Sequence, residues 1–382
     1  MSTLREVLDQ QVRDGSVPGA VGLVARGGHA DVVAAGGAGT DDGAPMARDS
    51  VFRIASLTKP VTAAAAMMLV EDGRIALADP VAPWLPELAA PVVVRTPDGP
   101  ADDVVPASRP ITLLDLMTSR AGYGFPSDFS LPAVRLLFGE LKQGSPLQRG
   151  VLPPDAWMET LARIPLLSQP GQEWLYNTCS DILGVLIARV AGQSLPEFLA
   201  ERIFAPLGMR DTGFAVPADK LGRFTALYRP TADGGLELID TPAGQWSGMP
   251  DFPSGAGGLV STADDLYAFA RMLLDEGTVG GKSLLTSASV RQMTTDHLTP
   301  AQREASGLFT EGQGWGFGGS VDIDRTAPWN VPGRYGWVGG TGTTAHIVPA
   351  TGTVAIMLTQ VELTGPTPPR SMRDFWQYAA AA

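Results

Sequence analysis

Strand-forming segments stand at both ends of this 382-residue chain and helix-forming segments fill its middle, an order that few folds can absorb. Near the start, residues 19–24 and 29–35 are short apolar runs on either side of Arg26-Gly27-Gly28, the pattern of an antiparallel hairpin. Near the finish, 334–338, 343–348 and 353–358 are separated by Gly339-Gly340-Thr341-Gly342 and Pro349-Ala350-Thr351-Gly352 turns. Helical signals cover 4–14, 56–72, 111–119, 181–191, 195–203, 262–274 and 369–379. The economical solution is an α/β chain of the α+β type: one antiparallel sheet built from both termini and flanked by helices, with a helical lobe inserted. We expect a single domain over 1–382. One lobe would combine 1–60 with 252–382, and 61–251 would form a mostly helical lobe. Its Pro-, Gly- and Ser-rich stretch at 126–154 reads as a cap rather than a linker.

Composition narrows the function. With 44% hydrophobic residues the chain can bury a large core. A net charge of −12 without a Lys or Arg run argues against nucleic acid and anionic membrane as partners. The single cysteine, Cys179, rules out an internal disulfide and reads as a buried thiol. The first residues carry regularly spaced charges instead of an apolar core, and no stretch reaches the length of a membrane span, so a soluble cytoplasmic protein is expected. His29, His297 and His346 are isolated, so no metal or other cofactor is expected. The stretch from Gly314 to Gly319 lacks the Gly-Lys-Ser/Thr ending of a phosphate loop, and no Gly-x-Ser-x-Gly nucleophile elbow occurs.

The chemistry concentrates at Ser56-Leu57-Thr58-Lys59, at the head of an alanine-rich helix. A serine and a lysine three residues apart share a helix face, close enough to exchange a proton, and the positive end of the helix favours an anionic serine oxygen. In a chain with four lysines (Lys59, Lys142, Lys220 and Lys282) this spacing suggests a Ser-Lys acyl-transfer centre. Taken alone it reads also as a helix cap followed by a solvated lysine. A working centre needs a second proton-transfer group and donors for an oxyanion. Tyr176 is the candidate for the first, and Gly336-Trp337-Val338-Gly339-Gly340-Thr341-Gly342 for the second, since glycines let a substrate approach the backbone. Alone, the first reads equally as a core tyrosine, and the second reads better as an ordinary glycine-rich hairpin.

In this order, the three pieces resemble the serine β-lactamase and penicillin-recognising family, closest to its carboxylesterase branch, the family VIII esterases. Further stretches carry the similarity across about residues 5–360: 52–60, Ile111 to Thr118 leading to Gly122, Ile203 to Met209 with Asp211 to Phe214, and Gly257 to Asp264. The resemblance implies Ser56 as acylated nucleophile, Lys59 as its proton partner and Tyr176 as general base or acid. It also implies an oxyanion hole from the backbone amides of Ser56 and Gly340, and a small-molecule ester or related acyl compound as substrate. Where the β-lactamases and peptidases carry Lys-Thr-Gly, this chain has Trp337-Val338-Gly339; an indole cannot hold a substrate carboxylate, which favours neutral esters, with Arg334 nearby as a compensating cation. Thr178 stands where the family's Tyr-x-Asn has its asparagine, with Asp181 five residues beyond Tyr176, and a polar role for Asn177 is open. Tyr123, Phe125, Asp181, Trp337 and Gly339 are expected to face substrate. A β-lactamase, a D-amino-acid peptidase, an acyltransferase or a non-catalytic binding module on the same fold are the alternatives.

Overall fold

The computed structural model describes residues 3–40, 44–145, 147 and 150–381; three positions of the 126–154 segment (146, 148 and 149) lie outside the described residues. The two ends of the chain meet in one sheet. Strands β1 (Gly19–Arg26) and β2 (His29–Gly36) form the N-terminal hairpin, and β1 pairs antiparallel with the last strand, from Ala20 opposite Thr359 to Ala25 opposite Val354. In chain order the rest are β3 (Gly314–Trp315), β4 (Ser320–Val321), β5 (Tyr335–Gly339), β6 (Thr343–Val348) and β7 (Thr353–Thr359). Their spatial order is β3-β4-β5-β6-β7-β1-β2, with every neighbouring pair antiparallel.

Alternation along the strands supplies two cores. Val21, Leu23 and Ala25 of β1 join Val354, Ile356 and Leu358 of β7 on one face. Leu266, Phe269 and Leu273 of helix Ala263–Leu274 pack into that same core. Ala20 and Val24 join Ala355 and Met357 on the other face. The terminal helices Leu4–Arg13 and Arg370–Ala381 cover that side through Leu4, Leu8, Met372, Phe375 and Trp376. Because both faces are covered, β1 is apolar almost throughout and shows no polar alternation.

Helix Thr58–Glu71 is buried from Thr58 to Leu69, as a sequence apolar on every side requires, and packs on helix Thr178–Ala191. Ser56 itself lies in a preceding 3-10 turn, Ala55–Leu57, rather than in the α-helix. The helix expected over 195–203 is Leu195–Leu199 followed by a π-helical turn, Ala200–Phe204. Within 126–154, helix Pro132–Leu141 packs against helix Pro154–Leu161. Among the described residues no single helix is long and apolar enough to cross a membrane.

The chain is delivered to Ser56 by the short strand Phe52–Arg53, paired with Val260–Ser261. Arg53 is fully buried there. Its guanidinium donates to Asp240 Oδ2 at 2.6 Å, Thr225 O at 2.6 Å and Thr241 O at 3.0 Å, and lies 4.0 Å from the Phe224 ring centroid. Burial holds the guanidinium down to about 10, against the pull of Asp240. Removing one member of such a pair leaves an uncompensated buried charge. Asp240→Ala should therefore lower unfolding stability by about 3–5 kcal/mol, read by urea denaturation. A loss below about 1 kcal/mol, the size of an exposed pair, would contradict this account.

Candidate active site

Two backbone irregularities aim the side chains. Ala55, just before Ser56, sits at φ +44°, a conformation that costs a non-glycine residue energy and persists only when its surroundings fix it. Here Thr341 Oγ1 donates to Arg53 O at 2.5 Å, Thr343 Oγ1 to Ile54 O at 3.1 Å, and Ile54 N to Leu259 O at 3.0 Å. Asn177, at φ +80° and ψ −67°, is the centre of a γ-turn closed by Thr178 N donating to Tyr176 O at 3.2 Å. That turn lets Tyr176 stay paired with Phe125 (both amide bonds 2.9 Å) while helix Thr178–Ala191 starts at once behind it.

At the floor of the cleft, Ser56 Oγ lies 2.9 Å from Lys59 Nζ and 2.8 Å from the Tyr176 hydroxyl. Lys59 is 1% exposed, and its amine donates also to Asn177 Oδ1 at 2.9 Å and Ala256 O at 2.7 Å. A buried amine demands such partners. When those two acceptors take the two hydrogens of a neutral amine, its lone pair is left facing Ser56. Tyr176 in turn accepts from the Trp337 indole, Nε1 to the phenol oxygen at 2.7 Å, so its own hydrogen is directed to Ser56. The ring of Tyr176 is wedged among Phe309, Trp337 and Trp174 at centroid distances of 4.8, 5.7 and 5.8 Å.

A cleft of about 500 Å³ opens over this centre. Its walls include Phe125, Phe129, Phe138, Leu141, Val151, Phe252, Phe309 and Trp337, and both Ser56 and Gly340 line it. At its base Asp181 is buried and accepts from Ser254 Oγ and Gln143 Nε2, each at 2.6 Å, and from the Ala256 amide at 3.1 Å. Burial pushes its carboxyl up, and the three donors oppose that push. No cluster of His, Cys, Asp or Glu able to hold a metal occurs among the described residues.

The sequence-derived site is thus partly assembled here and partly not. Ser56, Lys59 and Tyr176 come together, and Phe125, Asp181, Trp337 and Gly340 line the cleft. Tyr123 does not: it is 2% exposed, and its hydroxyl donates into the core, to Ile164 O at 3.2 Å. Gly339 also faces away from the cleft; a Cβ there would come within 2.4 Å of Ile54 O, so its role is to let β5 press on the segment before Ser56. Arg334 is buried with Asp322 and stacked 5.1 Å from Trp376, so it offers no cation to the cleft. Cys179 is buried and its thiol is pushed up to about 12, which removes it as a nucleophile. Asn177 supplies the polar contact to Lys59 that its neighbour Thr178 does not, whereas Gln143, Ser254 and the Ala256 carbonyl carried no recognisable sequence signal.

The Beta-lactamase family profile matches residues 4–376, and the chain belongs to that family. Within it the chain is a serine hydrolase, similar over most of its length to proteins of that kind. Esterase EstB of Burkholderia gladioli is 30% identical over 393 residues, covering 96% of this chain and 92% of that protein. Protein Rv1367c of Mycobacterium tuberculosis is 40% identical over 328 residues, 84% of this chain and 80% of its own. Among solved structures, EstCE1, a hydrolase with promiscuous acyltransferase activity, superposes with a TM-score of 0.82 at 26% identity over 99% of this chain and 97% of its own.

The indole contact to Tyr176 has a measurable consequence. Trp337→Phe keeps an aromatic wall and removes the donor, and should lower kcat for an ester substrate by about tenfold or more with little change in melting temperature. Unchanged kcat would mean that the indole only fills space.

Proposed function

We propose that this protein hydrolyses small neutral carboxylic esters through an acyl-enzyme on Ser56. The contact of one serine oxygen with both Lys59 and Tyr176, beneath an apolar cleft, carries the reading. As Ser56 Oγ attacks the acyl carbon, its proton passes to the Lys59 amine, and the carbonyl oxygen becomes an oxyanion held by the amides of Ser56 and Gly340. Collapse of the tetrahedral species breaks the ester C–O bond, and Tyr176 relays a proton to the departing alkoxide. Water then attacks the acyl carbon while the same groups run in reverse, and the carboxylic acid leaves with Ser56 restored. The segment 126–154 supplies Phe129, Phe138, Leu141 and Val151 to the cleft wall and acts as its cap.

Charge supports neutral esters over β-lactams. Trp337 occupies the place of the family's lysine, Arg334 is buried elsewhere, and Lys142, the cation among the described lining residues, donates to Gly139 O at 2.9 Å in a cleft that also carries the carboxyls of Glu362 and Asp181. Purified protein should release p-nitrophenol from short-chain p-nitrophenyl esters, and cephalosporins should turn over at least about a hundredfold less efficiently, the difference expected when a charged group is left unpaired. Ser56→Ala should abolish ester turnover, and Lys59→Ala should reduce it by orders of magnitude. Equal slow rates for wild type and Ser56→Ala would end the proposal.

The aromatic walls also favour a second outcome for the acyl group. An acceptor alcohol seated among Phe125, Phe129 and Phe309 would compete with water, giving transesterification. Product analysis with and without added alcohol should show a new ester whose yield rises with alcohol concentration; a product consisting of carboxylic acid alone would exclude transfer.

A further inference from the structure

Lys59 belongs to a closed circuit of hydrogen bonds. Its amine donates to Asn177 Oδ1; Asn177 Nδ2 donates to Gln143 Oε1 at 2.9 Å; Gln143 Nε2 donates to Asp181 Oδ2; and Asp181 Oδ1 receives the amide of Ala256, whose carbonyl returns to Lys59. Thr178 Oγ1 adds a second bond to Gln143 Oε1 at 3.1 Å. An asparagine side chain presents an acceptor on one side and a donor on the other, and only the acceptor suits a lysine amine. Nothing in Asn177 itself makes that choice. Gln143 makes it: its nitrogen is committed to the Asp181 carboxylate, so its oxygen must face Asn177 and calls for the Asn177 NH2 group. Gln143 reaches this position from just beyond helix Pro132–Leu141, where Lys142 turns the chain at φ +54°. Phe138 of that helix stacks on Phe125 at 4.8 Å in the cleft wall.

We propose that Gln143 is a positioning residue for acylation: carried by the cap, it locks the Asn177 amide with Oδ1 toward Lys59 and so keeps the amine lone pair on Ser56. The inference rests on the ester-hydrolase reading above. It separates the cap into a substrate-facing surface, Phe138, and a machinery-facing one, Gln143, on adjoining turns.

Gln143→Met preserves length and removes both polar ends. It should lower kcat for a p-nitrophenyl ester, and the rate of Ser56 phosphonylation by a fluorophosphonate, by about tenfold while KM stays within about twofold. In an Asn177→Ala background the same substitution should change kcat by less than about twofold, because the group it orients is gone. Gln143→Glu gives a second readout. The new carboxyl group faces Asp181, with Asn177 and Thr178 as its other partners and Lys59 beyond Asn177; holding one proton, it donates to Asp181 and accepts from Asn177 as the amide did. Its kcat relative to wild type should therefore rise as pH falls from about 8 to about 5.5, as two adjacent carboxyls come to share a proton. A raised KM with unchanged kcat, additive losses in the double variant, or a pH-independent ratio for Gln143→Glu would overturn the proposal. Wild-type turnover that requires Ser56 yet ignores Gln143 would remove this inference alone, whereas turnover indifferent to Ser56 would remove the hydrolase reading instead.

Discussion

A lysine amine buried to 1% exposure is the constraint from which the rest of the centre follows. Taking such a group out of water costs several kcal/mol unless its hydrogens find acceptors. Its polar partners come from three separate parts of the chain: Ser56 beside it, Asn177 at the head of helix Thr178–Ala191, and Ala256 in the Ser254-Gly255-Ala256-Gly257-Gly258 turn. The glycine at 255 is what allows that turn to reach in. A Cβ there would lie 2.4 Å from Ser180 O, so any larger residue would push the Ala256 carbonyl away from Lys59. The strained turn at Asn177 has the same origin, since it places an amide oxygen beside the amine while leaving Tyr176 above Ser56.

Trp337 shows how a small change of residue redirects a shared fold. Its indole nitrogen donates to Tyr176, and its ring packs edge-on against Trp315 at 4.7 Å. A donor without net charge keeps the phenol oriented but leaves the cleft without a counter-ion at that position. The charged residues that line the cleft among those described are Lys142, Glu362 and the buried Asp181.

The sheet formed from both termini was legible because apolar runs with turn residues between them need no knowledge of distant partners. Ser56, Lys59 and Tyr176 were legible because residue type and order carried them. The failures have a common cause in side-chain direction, which spacing does not encode. Tyr123 and Phe125 lie two apart in sequence, yet one hydroxyl turns to Ile164 while the other ring turns to the cleft. Arg334 is three residues from Trp337 and faces Asp322 across the sheet's outer layer. Strands β3 and β4 were missed because two-residue pairings in a glycine-rich stretch leave no periodicity to read. Gln143 was invisible for another reason: a glutamine just past a helix looks like any surface residue until the helix Thr178–Ala191 is folded against it.

The pairing of β1 with β7 has a consequence for how the molecule comes into being. Arg26 bonds to Thr353, 327 residues further along the chain, so the N-terminal hairpin has no partner until almost everything after it has been made. Topologies dominated by such distant contacts fold slowly. Ser56 is synthesised long before β5, whose Trp337 indole donates to the Tyr176 hydroxyl. The contacts among Ser56, Tyr176 and Trp337 therefore come together late in folding, once β1 and β7 have closed on each other.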